Sequence, residues 1–125
     1  MEVSALKIQE SAENYLETIL ILGQKNGNVR SIDIAHELEF KKPSVSVAMK
    51  NLRENGYIRV DDNGFITLTE SGRQIAETMY ERHLLFSRWL MDLGVNEKTA
   101  VEDACKMEHV LSQESFDAIK KHLNG

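Results

Sequence analysis

Read from its N-terminus, the chain sets apolar residues at helical spacing in three successive stretches and then switches to alternation. Tyr15, Leu16, Ile19, Leu20 and Leu22 form a broad apolar stripe, which predicts a helix over 11–27. Ser11 is its expected N-cap, with Asn14 where a capping box has an acid, and Gly27-Asn28 its stop. Ser31 is expected to cap a second, short helix with Ile34, Ala35 and Leu38 inward and Asp33 and Glu37 outward. In EFKKPSVSVAMKNLRENGYI, Pro43 suits the first turn of a third helix, Val45, Ala48, Met49 and Leu52 its buried face, and Gly56 its C′ position. YIRV and FITL then flank DDNG, which predicts a hairpin with a type I′ turn at Asn63-Gly64.

The remainder is helical again. A long helix begins at Thr69 or Glu70 and runs through Ile75, Ala76, Met79, Tyr80, Leu84, Leu85, Trp89 and Leu90 to about Leu93, where Gly94 stops it. Asn96 is expected to cap the next helix and Ser112 the last, ESFDAIKKHL. The predicted fold is mainly α: an N-terminal winged helix-turn-helix over residues 1–69, followed by a C-terminal helical module over 70–125.

Composition adds bounds. The 125 residues, 42% hydrophobic and 28% charged, suit a soluble domain or two small modules. An apolar run of membrane-spanning length and a signal peptide are both absent, so a cytoplasmic protein with no membrane partner is expected. The single cysteine excludes an internal disulfide and fits a reducing compartment. A net charge of −5 argues mildly against nucleic acid, but the distribution is uneven. Lys41, Lys42, Lys50, Arg53 and Arg59 cluster against Glu54 alone, whereas the chain from Glu70 onward is acidic overall.

In a helix-turn-helix the second helix enters the major groove by its N-terminal residues. Here these are Lys42, Pro43, Ser44, Ser46 and Val47. The serines can meet bases or phosphates, and Pro43 and Val47 can meet thymine methyl groups. Lys50, Arg53 and Arg59 suit phosphates. With no Arg, Asn or Gln at the reading end, sequence choice would rest partly on DNA shape. The competing reading is a winged helix used for protein contact, since Asp61 and Asp62 at the hairpin tip would repel phosphate.

The stretch VEDACKMEHVLS carries Cys105, Glu108 and His109, which would share one face of a helix. Thiolate, carboxylate and imidazole are transition-metal donors, but one helix seldom closes a coordination shell. Asn14 and Glu17, one turn apart on the first helix, and His83 on the long helix are further donors. Spacing alone leaves two readings open: a metal site, or a buried thiol beside two polar residues.

Several stretches together resemble the DtxR/MntR family of iron- and manganese-dependent repressors: SAENYLETI, KKPSVSVAMKNLRENGYI, ITLTESGRQIA, ERHLL and EDACKMEHVLS. The resemblance covers nearly the whole chain. It implies a metal held by Asn14, Glu17, His83, Cys105, Glu108 and His109. Cys105 with the Glu108-His109 pair matches the iron-responsive branch, Glu17 and His83 the manganese branch, and Asn14 neither. The iron branch's ancillary site would need ligands at Ser87 and Val101, so it is expected to be lost or rebuilt with acids such as Glu102. The chain stops at Gly125, which matches the short form without an SH3-like domain.

The resemblance further implies a homodimer, with Trp89, Leu90, Leu93, Val110, Leu111 and Phe116 as its surface; these residues fit an intramolecular core equally well. The cofactor is Mn2+ or Fe2+, with Zn2+, Co2+ or Ni2+ as substitutes in vitro, and the partner is double-stranded DNA with a palindromic operator. The expected function is a metal-activated repressor of metal-uptake genes, without a small organic substrate. The alternative is a metal-independent winged-helix regulator with a degenerate site. An enzyme is not expected, because oxyanion donors and phosphate-cradling loops are missing from the sequence.

Overall fold

The structure is a computed structural model that describes residues 3–124, with side chains from Gln9 onward. Six helices and one two-stranded hairpin follow one another: α1 Val3–Asn26, α2 Ser31–Leu38, α3 Lys42–Glu54, β1 Ile58–Val60, β2 Ile66–Leu68, α4 Glu70–Asp92, α5 Glu97–Met107 and α6 Gln113–Asn124. The chain divides into two compact units between Glu77 and Thr78, within α4. Among the described residues no helix is long and apolar enough to cross a membrane.

The N-terminal unit is a winged helix. Helix α2 packs on α1 and α3, and the hairpin packs on α1 and α3 through β2 and β1 respectively. Leu16, Ile34, Val45, Ile58 and Ile66 are buried in it. The expected inward faces of α1 to α3 are thus observed, but three local expectations are corrected.

Helix α1 begins by Val3, not at Ser11, because Ala5, Leu6, Lys7, Gln9 and Glu10 favour helix and nothing breaks it. Ser31 is the first residue of α2, not its cap. Arg30 stands at the N-cap, and its N–H donates to the Asp33 carboxylate at 2.9 Å. The hairpin does not close on a type I′ turn, which needs positive φ at both Asn63 and Gly64. Only Gly64 has it, at +83°. The Asp61 carboxylate instead accepts from the N–H groups of Asn63 (2.9 Å) and Phe65 (3.0 Å), and its own N–H donates to Phe65 O. A side chain that captures two backbone donors selects a wider loop.

The residues that enter β1 form a tight junction with the start of α4. Thr69 donates from its N–H to Tyr57 O (3.0 Å) and from its hydroxyl to Gly56 O (2.7 Å). Gly72, in the first turn of α4, lies against Tyr57 O so closely that a Cβ would stand 2.1 Å from it.

The C-terminal unit is a small helical core. Phe86, Ala104 and Phe116 are fully buried, with Leu85, Trp89, Met107, Leu111 and Ile119 packed on them. Phe86 meets Phe116 edge-on at 5.8 Å. The expected caps are in place: Asn96 Oδ1 accepts from Lys98 N and Thr99 N, and Ser112 Oγ from Ser115 N.

Candidate metal centre and nucleic-acid interface

Helix α5 ends at Met107, so Glu108 is its C-cap and His109 lies in the turn beyond; the three donors of this stretch do not all ride one helix. Glu108 keeps right-handed helical backbone angles, which preserves its register with Cys105 one turn earlier. The helix stops here because the carbonyls of Glu108 and Leu111 turn to Arg82 of α4. Its buried guanidinium donates to them at 3.0 and 2.8 Å. Sequence reasoning does not single out Arg82. It stands between Glu81 and His83, with Arg88 six residues on, so the charge pattern of α4 does not mark it.

This turn brings Glu108 to His83. His83 Nδ1 stands 3.4 Å from Glu108 Oε1 and 3.7 Å from Cys105 Sγ. One donor atom from each of His83, Cys105 and Glu108 lies within 4.8 Å of the others. Nitrogen, oxygen and sulfur donors on one ion with bonds of about 2.0–2.3 Å stand about 3.4–3.6 Å apart at tetrahedral angles, so the observed spacings are those of a coordinating set. Glu108 and His109 also present ligand atoms within 4.8 Å of each other. Asn14 and Glu17 belong to the N-terminal unit, one turn apart on α1. Cys105 is exposed and Glu108 fully buried.

The Cys105 sulfur and the Glu108 carboxylate hold the His83 imidazole well above its ordinary range, at about 10, against the opposing effect of burial. Without metal, His83 is therefore a cation at neutral pH. Because its folded pKa is raised, its contribution to stability is complete below about 6.5 and is lost as pH rises through about 10. A metal requires the neutral imidazole, so it must displace this proton. At pH 7.5, calorimetry in buffers of different ionisation enthalpy should register release of at least one proton per ion bound. His83→Ala should register fewer; equal proton counts would show that His83 is not displaced.

In the N-terminal unit the two faces of α3 are cleanly separated. Val45, Met49 and Leu52 are buried, whereas Lys42, Pro43, Ser44, Ser46, Val47, Lys50 and Arg53 are all exposed. Lys41 is the N-cap and Pro43 lies in the first turn, so the reading end starts as the sequence predicts. Arg59 is exposed on β1 and shares a cleft with Arg53, Thr69 and Ser71. The Asp61 carboxylate at the hairpin tip is engaged by two backbone donors.

Comparison with known proteins matches both units. Residues 7–64 fit the model of the iron-dependent repressor N-terminal DNA-binding domain, and residues 69–125 that of the iron-dependent repressor metal-binding and dimerisation domain. An uncharacterised HTH-type transcriptional regulator of Methanocaldococcus jannaschii is 36% identical over 115 residues, covering 90% of this chain and 92% of that protein. The transcriptional regulator MntR of Salmonella typhimurium is 34% identical over 110 residues, covering 88% of this chain and 70% of that protein. The chain belongs to the DtxR/MntR family of metal-dependent transcriptional regulators. Among solved structures, a manganese-dependent transcriptional repressor in complex with manganese superposes with a TM-score of 0.79 at 28% identity over 90% of this chain. The chain spans about half of that protein, 52% of its length.

The family implies a metal, and the residues present fit one. Glu108 is fully buried, and among the described residues neither carboxylate oxygen takes a hydrogen bond. A buried carboxylate without hydrogen bonds costs several kcal/mol by general estimates (about 1–3 per neutral group, more for a charge), a cost that a divalent cation would offset.

Ser87, at the ancillary position, spends its hydroxyl on His83 O at 2.8 Å, and Glu102 joins no metal-ligating cluster among the described residues. Phe116 is fully buried in its own unit and has no surface to give a second copy; Trp89 and Leu111 pack on the same core. The reason is the amphipathic face of α6, which closes on Phe86. Leu93 and Val110 are 65% and 69% exposed, and Leu84 is 51% exposed. The apolar surface open to a partner therefore includes Leu84, Met91 and Leu93, with Leu90 half-buried.

Proposed function

We propose that this protein is a metal-activated repressor of metal-uptake genes that binds a palindromic operator as a homodimer and acts in the cytoplasm without catalysing a reaction. The observation that carries the metal half of this reading is the orphaned, fully buried Glu108 carboxylate beside His83 and Cys105. The exposed reading end of α3 supports the DNA half. Similarity to manganese-dependent repressors supports Mn2+ or Fe2+ as the activating ion.

His83, Cys105 and Glu108 would hold the ion, with His109 beside them and Asn14 and Glu17 as the ligands from α1. When bound, the ion would supply the positive charge that satisfies the carboxylate and thiolate. His83 would give up its proton, and Glu108 would exchange the imidazolium for the ion. Ligation by α1 would make the metal bind better to the arrangement of winged helices that fits two half-sites. An ion shifts that population only by its difference in affinity between the two states, and about 5.5 kcal/mol moves it from 1:99 to 99:1. The exposed residues Leu84, Met91 and Leu93, with the half-buried Leu90, suit the dimer surface. The neutral Asn14 amide is a weak ligand for a hard cation, so affinity rests mainly on the C-terminal donors.

The test is selection of duplexes from a randomised pool by the reduced protein, with and without Mn2+ or anaerobic Fe2+. A two-fold symmetric sequence recovered only with metal is expected. The same sequence recovered in chelator would favour a metal-independent winged-helix regulator, and recovery of none would favour a protein-contact module.

A further inference from the structure

Next to the ligand His83 stands a residue that no metal role accounts for. Arg82 is 5% exposed, and its guanidinium donates to Glu108 O at 3.0 Å, to Leu111 O at 2.8 Å and to Gln113 Oε1 at 3.2 Å. Gln113 in turn donates to Asp117 at 2.9 Å, and the guanidinium lies 5.3 Å from the centre of the Phe116 ring. These bonds span the turn between α5 and α6 that carries Glu108 and His109. The turn lies between α5, which has ended, and α6, which begins only at Gln113; its backbone bonds include Glu108 N to Ala104 O at 3.0 Å and Val110 N to Met107 O at 3.3 Å.

A full positive charge this close is an odd neighbour for a cation site, because like charges disfavour each other in a poorly solvated interior. Its geometry gives the reason. Only a planar fork can meet the carbonyls of Glu108 and Leu111, three residues apart, and a side-chain amide together. Consecutive residues of one helix then do two things: His83 presents a donor to the site, and Arg82 fixes the backbone of the facing donor. We propose that Arg82 is a positioning residue for the metal centre, setting the 108–112 turn so that the Glu108 carboxylate meets the ion at the distance His83 and Cys105 require. The inference rests on the reading of these three residues as metal ligands.

Positioning and electrostatics predict opposite signs. If the charge dominated, Arg82→Gln would bind metal more tightly; if positioning dominates, it binds more weakly. Removal of a partner that orients a ligand weakens metal affinity by about 10–100-fold. The test is titration of the reduced, metal-free protein with Co2+, reading the affinity and the visible ligand-field and thiolate charge-transfer bands. Arg82→Gln, Arg82→Lys and Gln113→Ala are compared with the wild type, and the fold of each is checked by circular dichroism.

Arg82→Gln should lose about 10–100-fold in Co2+ affinity with shifted bands. Arg82→Lys should lose affinity too, although its charge is kept, and Gln113→Ala should lose less than either. If both Arg82 variants fail to fold, Gln113→Ala decides alone: a weaker, spectrally shifted complex is expected, and an unchanged one overturns the proposal. Unchanged or tighter Co2+ binding with wild-type bands in a folded Arg82→Gln also overturns it, leaving the metal reading intact. A wild type that takes up no Co2+ overturns the metal reading and this proposal with it.

Discussion

Glu108→Gln is expected to weaken Mn2+ or Fe2+ binding by at least about 100-fold, or about 2.7 kcal/mol, without lowering the stability of the metal-free protein. The substitution keeps the shape of the side chain and removes its charge. With metal, that charge is the fully buried carboxylate facing His83 and Cys105, and an amide oxygen replaces it poorly on a divalent cation. Without metal, the same charge is a burden, because neither oxygen takes a hydrogen bond among the described residues. The His83 imidazolium at 3.4 Å compensates it in part. Removing the carboxylate lets His83 shed its proton more easily, so its pKa should fall from about 10 toward the ordinary range. Calorimetric titration with metal, thermal melting of the metal-free protein and NMR titration of His83 read the three effects. Wild-type affinity in the variant would remove Glu108 from the site; a large loss of metal-free stability would mean that the carboxylate serves folding.

The second large effect is on the N-terminal unit. A Cβ added at Gly72 would stand 2.1 Å from Tyr57 O and 3.0 Å from Tyr57 C. Both are backbone atoms, and Tyr57 O also accepts from Thr69 N, so the clash cannot be relieved by turning a side chain. To admit the methyl group, the start of α4 must move away from β1, straining the bonds Thr69 makes to Tyr57 O and Gly56 O. Overpacking costs about 1–3 kcal/mol and each hydrogen bond about 1 kcal/mol, so Gly72→Ala should destabilise the protein by about 3 kcal/mol. Gly23→Ala is the control. It lies within α1, and the nearest outside atom to its Cβ is Val29 Cγ2 at an ordinary 3.9 Å. There the helix preference of alanine should add about 0.5–1 kcal/mol of stability. Urea unfolding of both variants checks the opposite signs; destabilisation of equal size would mean that helix context, not the Tyr57 carbonyl, governs both sites.

What the sequence made legible follows the range of the interactions involved. The order of helices and hairpin rests on local periodicity, and the caps at Asn96 and Ser112 on bonds two or three residues long, so both could be read directly. The exposed face of α3 follows from the same periodicity. The start of α1 was misplaced because Ser11 is a good cap that nothing forces to act as one. The hairpin turn was misread because a side chain, Asp61, outweighs the Asn-Gly preference. Arg82, Gly72 and Phe116 act across 15 to 30 residues of chain, through contacts with Glu108, Tyr57 and Phe86, and periodicity cannot report such pairs. The candidate donors His83, Cys105 and Glu108 are legible because their chemistry, unlike their geometry, is visible in one dimension.

The account stands most directly on the coupling between the C-terminal donors and DNA. The decisive measurement is the affinity of the reduced protein for its selected duplex, by fluorescence anisotropy at fixed salt, with and without saturating metal, for the wild type and Glu108→Gln. Metal should tighten wild-type binding by about 100-fold, a coupling of about 2.7 kcal/mol, and should leave the variant at its metal-free affinity. Equal affinity of the wild type with and without metal would contradict the account, as would a metal response that Glu108→Gln retains.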